Sequence, residues 1–254
     1  MKKIELQLIQ HEVKIGDKTP TIEPNIIDDS IFIKDGAIIG FYLKRMPERM
    51  CNLADIANAE LLSNRVPKSM MRRSSGLRSI ENEVKQFSTI IGSVPPKAHM
   101  RRPYPSRSSV HQKKSADTFV KAMIMLCKEG EKLIQQYAPD IYERQKRIIE
   151  ENVAEKWRFG DLFTSSISNF NIAAAYHIDK ANLPTCVNII ICKRKNSTGG
   201  NTTIPDYGAT VDSADNSILV YPAVNNMHGV TPIIQTAEDG YRNTLVFYPL
   251  KGFK

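Results

Sequence analysis

Residues 163–194 read FTSSISNFNIAAAYHIDKANLPTCVNIIICKR, and within them His177-Ile178-Asp179 lies between two runs rich in β-forming residues. Side chains at i and i+2 of a strand point to one face, so this histidine and aspartate can converge on a single ion. A second histidine, His228, follows 51 residues later in Asn-Met-His-Gly, where a facing strand can bring it to the same place. Two imidazoles and one carboxylate on one face of an octahedron leave the opposite positions open, which is what Fe(II) needs to bind a 2-oxoacid and then O₂. A closed four-ligand structural site leaves no such room. An isolated H-x-D arises often by chance, so the surrounding chain has to carry the reading.

Downstream, Gly199-Gly200 precedes a short strand over residues 201–205, residues 218–222 form another, His228 opens the next and residues 241–248 form the last. No stretch after Phe163 reads as a long helix; short β runs separated by turn residues predict a sandwich or small barrel. Upstream, residues 4–13 and 31–43 are strand-like, the second broken at Asp35-Gly36, a hairpin signal. Residues 48–62 read as a short helix. Ser115 is expected to cap a longer one in which Phe119, Met123, Leu126, Leu133 and Tyr137 recur at helical spacing, with Pro139 as its stop. A second amphipathic helix is expected over residues 140–153, with Ile141, Ile148 and Ile149 on one side.

Charge is concentrated. Residues 65–114 hold twelve Lys and Arg against two acids, a net of +10 where the whole chain carries +8. The same segment contains prolines 67, 95, 96, 103 and 105, many serines and the pairs Arg72-Arg73 and Arg101-Arg102, so it reads as loop with a short helix near residues 79–87. Such a block can neutralise phosphates and steer a polyanion; its bland alternative is a solvated loop. The four cysteines, Cys51, Cys127, Cys186 and Cys192, show no C-x-x-C spacing and are expected to be buried free thiols. No apolar run approaches the roughly 18 residues of a membrane span, and the start MKKIELQLIQHEV lacks a signal region, so the expected compartment is the cytoplasm, viral or bacterial, or the nucleus in a eukaryote.

The strand order around the H-x-D resembles the double-stranded β-helix of the 2-oxoglutarate oxygenases. That resemblance implies an α+β chain with a jelly-roll core, N-terminal strands and flanking helices. It implies Fe(II), 2-oxoglutarate and O₂ as cofactor and cosubstrates, with His177, Asp179 and His228 as metal ligands. It also implies that Arg242, 14 residues beyond His228, pairs with the distal carboxylate of 2-oxoglutarate, helped by the Thr244 hydroxyl. A guanidinium suits this role because it offers a carboxylate a bidentate fork.

Within the superfamily, residues 163–194 resemble the TET/JBP group of DNA 5-methylpyrimidine oxygenases, in particular its compact phage-like members: a Phe-Thr opening, an Asn-rich strand, H-x-D-K and another strand. The match covers about the last ninety residues. It implies hydroxylation of the 5-methyl group of 5-methylcytosine in double-stranded DNA, on a base turned out of the stack. Asn182, five residues after His177, would read the cytosine edge, since an amide can donate to N3 and accept from the amino group, whereas an aspartate would suit thymine. As a residue type it equally suits a turn before Pro184. Arg72, Arg73, Arg101 and Arg102 would contact the DNA backbone.

The expected layout is one catalytic domain over 1–254, with N-terminal strands and helix (1–64), the basic segment (65–114), supporting helices (115–160) and the β-helix core (161–254). No membrane or protein partner is expected. Two rivals stand beside this reading: the same chemistry on thymine, a protein side chain or a metabolite, and a non-catalytic, metal-stabilised DNA-binding jelly roll. The regional charge speaks against a metabolite, and the Arg242/Thr244 pair speaks against a purely structural metal.

Overall fold

Turn residues cut the chain into short strands in the computed structural model of the protein, which describes residues 1–70, 86–97 and 101–254. The N-terminal part runs β1 (Lys2–Glu5), β2 (Ser30–Lys34), β3 (Ala37–Leu43), α1 (Glu48–Leu62), β4 (Ser69–Met70), β5 (Phe87–Val94), β6 (Ser106–Arg107), α2 (Asp117–Tyr137) and α3 (Pro139–Asn152). The remainder is β7 (Ser165–Phe170), β8 (Ala174–His177), β9 (Asn188–Lys195), β10 (Ser197–Gly199), β11 (Thr202–Ile204), β12 (Ala209–Val211), β13 (Ile218–Tyr221), β14 (His228–Val230), β15 (Ile233–Gln235) and β16 (Tyr241–Tyr248).

Two sheets face each other. The larger has the order β1-β2-β3-β13-β9-β16-β7-β5-β4, and the smaller β12-β11-β14-β8. From β7 onward the chain passes back and forth between them: β7, β9, β13 and β16 lie in the large sheet, β8, β11, β12 and β14 in the small one. This is the double-stranded β-helix, with N-terminal strands extending its large sheet at both ends.

Strand alternation separates the two faces of the large sheet. Ile189, Ile191, Ile218, Val220, Leu245 and Phe247 pack outward against buried residues of α1 and α2 such as Leu53, Ala57, Phe119 and Met123. On the inward side, Leu219 and Tyr221 join Phe32, Tyr42, Ile204 and Val211 between the sheets. Helix α2 approaches closely at Gly130, where a Cβ would lie 2.7 Å from Ile189 Cδ1.

The hairpin at Asp35-Gly36 forms as its residues demand, both with positive φ (51° and 76°). The helix over residues 48–62 is α1. All four cysteines are buried and free. Among the described residues no helix is long and apolar enough to cross a membrane.

Four local expectations are corrected. The strand expected over 4–13 is confined to β1, because beyond it the chain straps across the small sheet, with Ile9 N donating to Asp206 O and Gly16 N to Tyr176 O. Ser115 does not cap α2: its hydroxyl donates to Arg65 O, and the helix starts after Ala116 with no side-chain cap. Pro139 does not merely stop α2, which ends at Tyr137, but occupies the first turn of α3, where its missing N–H costs nothing. The basic segment is not all loop, because β5 pairs with β7 along six residues inside the large sheet. The helix expected near 79–87 lies mostly outside the described residues, and its last residue, Phe87, opens β5.

Glu131 joins α2 to the turn before β7. Its Oε1 accepts from Asp161 N and Leu162 N, both at 2.8 Å. Burial raises this carboxyl from 4.5 to about 7, and the two N–H groups only partly oppose the shift. Between those pH values the folded chain holds a proton that the unfolded chain releases, so this group lowers stability as pH rises, by up to about 3 kcal/mol. Glu131→Gln keeps an acceptor but cannot ionise. Denaturant titrations at pH 5 and pH 8 are expected to show a gain for the variant over wild type at pH 8 and none at pH 5. An equal difference at both pH values would disprove the account.

Candidate active site

The small sheet brings the two histidines face to face. Strands β8 and β14 are antiparallel with His177 and His228 directly opposite each other, their ring centroids 4.2 Å apart. Nδ1 of His177 lies 2.8 Å from Ala175 O and Nδ1 of His228 3.1 Å from Asn226 O. Each Nδ1 is thus placed to donate to a backbone carbonyl, an arrangement that in a neutral ring leaves the Nε2 lone pair for a metal. Burial, with His177 next in effect, lowers His228 to about 4, so its ring is a neutral donor.

Asp179 arrives by a different route from the one its spacing suggests. Strand β8 ends at His177, and a turn places the aspartate: Asp179 N donates to Ala223 O and Asn182 N donates to Asp179 O. Its Oδ1 stands 3.6 Å from His177 Nε2. The donor atoms of His177, Asp179 and His228 all lie within 4.8 Å of one another, close enough to share one ion.

Tyr221 meets His228 edge-on with centroids 5.4 Å apart. Burial, and then the charge of Asp179, raises the phenols of both Tyr221 and Tyr248, so both stay protonated beside the carboxylate.

Arg242 and Thr244 alternate on β16 with Leu245 and Phe247, and so point away from the helices. Arg242 is 2% exposed. Its side chain donates from Nη2 to Ser213 Oγ at 3.3 Å, Nε has no hydrogen-bond partner, and no carboxylate forms an ion pair with it among the described residues. Burial lowers its pKa. Space for the side chain comes from Gly200, where a Cβ would fall 2.4 Å from Arg242 Cδ; Gly200 also has φ +66°, a region that favours glycine. A buried cation without a counterion costs several kcal/mol, so this corner would favour an anion.

Two imidazoles, a carboxylate and a buried guanidinium without an ion-pair partner fit an open iron centre with an anionic cosubstrate. They fit a closed structural site poorly.

The other expected site residues are placed unevenly. Asn182 is 3% exposed and its Nδ2 donates to Asn188 Oδ1 at 2.9 Å, so one of its two N–H donors is already engaged inside the chain. Arg101 and Arg102 are exposed, on a segment where Arg102 and Lys97 exchange backbone hydrogen bonds. Between Pro103 and Pro105, Tyr104 is 79% exposed. Arg72 and Arg73 lie outside the described residues. Sequence reading missed Asn188, Ser213, Gly200 and the two tyrosines. Asn188 alone left a signal, as the polar residue that opens the apolar run Ile189-Ile190-Ile191.

Fold and site together define a 2-oxoglutarate- and Fe(II)-dependent oxygenase. Residues 96–251 match the Tet_JBP family, described as the oxygenase domain of the 2OGFeDO superfamily, and the chain belongs to that family. The superfamily uses Fe(II), 2-oxoglutarate and O₂. No curated protein matches in sequence. Among solved structures, NgTET1 in complex with 5mC DNA is similar at a TM-score of 0.59 and 13% identity, over 94% of this chain and 83% of that one. An oxidoreductase of the 2OG-Fe(II) oxygenase family from Burkholderia pseudomallei is similar at 0.46 and 12%, over 85% and 88%.

Proposed function

We propose that the protein hydroxylates the 5-methyl group of 5-methylcytosine in double-stranded DNA, giving 5-hydroxymethylcytosine. The observation that carries the oxygenase reading is a buried Arg242 with no carboxylate paired to it among the described residues, in the same fold as a His-Asp-His cluster able to hold one ion. The family match, and the likeness of the fold to a structure holding 5mC DNA, support DNA as substrate. So does the exposed Arg101-Arg102 pair next to the open ring of Tyr104.

In this reading His177, Asp179 and His228 hold the iron, Arg242 takes the distal carboxylate of 2-oxoglutarate, and the Thr244 hydroxyl assists. When bound, iron with 2-oxoglutarate and O₂ supplies the oxidising power that turns a methyl C–H into C–OH. The chain supplies orientation: backbone carbonyls hold Nδ1 of both histidines, Gly200 leaves room for the guanidinium, and Tyr221 packs edge-on against His228. A methyl group on a paired base is out of reach, so the nucleotide must leave the stack.

Nucleoside mass spectrometry after incubation with methylated and unmethylated duplexes tests the substrate. Hydroxymethylcytosine from methylated DNA, with one succinate per product, is expected; succinate without a modified nucleoside would exclude DNA. Thymine is the second reading. It is favoured by the engagement of Asn182 with Asn188, which leaves the amide less free to select cytosine, and hydroxymethyluracil from the unmethylated duplex would establish it.

The DNA grip has its own test. If Arg72, Arg73, Arg101 and Arg102 contact phosphates, changing all four to Gln weakens binding regardless of sequence. It also flattens the slope of log affinity against log salt by about 0.9 per lost contact on duplex DNA. Retention of both affinity and slope would reduce the segment to a solvated loop.

A further inference from the structure

Asp179 has two oxygens, and the protein has already spent one. Asn188 Nδ2 donates to Asp179 Oδ2 at 2.9 Å, and Asn188 Oδ1 accepts from Asn182 Nδ2 at 2.9 Å. Both asparagines are buried, Asn188 to 1% and Asn182 to 3% exposure. Asn188 opens β9 and faces Tyr221 across the β9–β13 pair. Asn182 is fixed by its backbone, donating to Asp179 O and bridging to Leu250. The three side chains form a chain of donors running one way, Asn182 to Asn188 to Asp179, that ends on Oδ2 and leaves Oδ1 towards His177 Nε2, 3.6 Å away.

A carboxylate that is free to rotate can offer a cation either oxygen or both. One whose Oδ2 accepts a bond from a buried amide cannot turn without leaving that amide unpaired, which is costly in a dry environment. The amide cannot flip either, because its Oδ1 is held by Asn182. We propose that Asn188, propped by Asn182, is the positioning residue that fixes Asp179 as a single-oxygen metal ligand through Oδ1. This rests on the metal centre proposed above. It gives Asn182 a structural reason for its identity that needs no contact with a base.

The test is metal affinity, read without turnover. Co(II) titration of the full chain by calorimetry and by visible absorption is expected to show binding 10- to 100-fold weaker for Asn188→Ala, with a changed Co(II) spectrum, as for loss of other ligand-orienting groups. Asn182→Ala is expected to move affinity the same way by about two- to tenfold, the effect of one neutral hydrogen bond. Thermal melts without metal report folding separately. If Asn188→Ala does not fold, the Asn182→Ala result decides. Wild-type protein that fails to bind one equivalent of Co(II) overturns the metal centre itself. Wild-type binding with unchanged affinity and spectrum in the folded variants overturns the relay alone.

Discussion

Alanine in place of His228 is expected to abolish turnover and stoichiometric iron binding together. The residue lies directly across the β8–β14 pair from His177, and nothing adjacent can replace its Nε2: Tyr221 presents a ring edge and its phenol stays protonated. Fe(II) stands low in the affinity order of divalent metals, so a two-ligand remnant retains it poorly. The effect on activity is therefore expected to be complete, while the melting temperature without metal changes little. Iron analysis of purified protein checks the first part, and a variant holding one iron per chain would remove His228 from the ligand set.

The second large effect separates cosubstrate binding from folding. Arg242→Met keeps an unbranched stem, shorter than that of arginine, and removes the charge. A bidentate charge-assisted pair contributes about 1.5–3 kcal/mol, so the concentration of 2-oxoglutarate for half-maximal succinate formation should rise roughly ten- to 150-fold. The requirement for DNA should move far less. Stability should move the other way. Arg242 is buried with Nε unpartnered and no carboxylate paired to it, so without ligand the variant is expected to melt no lower than wild type. An unchanged 2-oxoglutarate requirement would end the assignment. A sharp loss of stability would mean that the arginine serves the fold, and that its missing partner lies within the chain.

The sequence made the His177–Asp179 pair and the core strands legible for one reason: both depend on short-range pattern. His177 and Asp179 are two residues apart, and the apolar runs at 218–222 and 241–248 announce strands that became β13 and β16. Arg242 could be picked out because an arginine beside Leu245, Val246 and Phe247 is out of place on an ordinary surface.

What escaped depends on partners distant in sequence. Strand β5, Phe-Ser-Thr-Ile-Ile-Gly-Ser-Val, is a short β-forming run inside a segment of prolines, serines and arginines, and its pairing with β7 is what sets it apart from loop. Asn188 looks like the polar end of an apolar strand until Asp179 is folded beside it. Gly200 reads as a turn glycine, yet its lack of a Cβ also serves Arg242, 42 residues away. The spacing of His177 and Asp179 suggested neighbours on one strand face, whereas a turn past the strand end brings them together. The pairing was right and the geometry behind it was not.

Strand β5 also decides how far the basic region can be treated as a module. Arg72-Arg73 precede it in the sequence and Arg101-Arg102 follow it, so this eight-residue strand, about 26 Å long at ordinary strand rise, lies between the two pairs along the chain. A detachable arm could be cut away or grafted onto another oxygenase as a cassette. Here excision would strip β7 of its neighbour and turn an interior strand into a raw edge, open to pairing with another chain. If the flanking arginines grip a polyanion as proposed, that grip and the integrity of the large sheet are inherited together, and variation in the first is confined to the stretches on either side of β5.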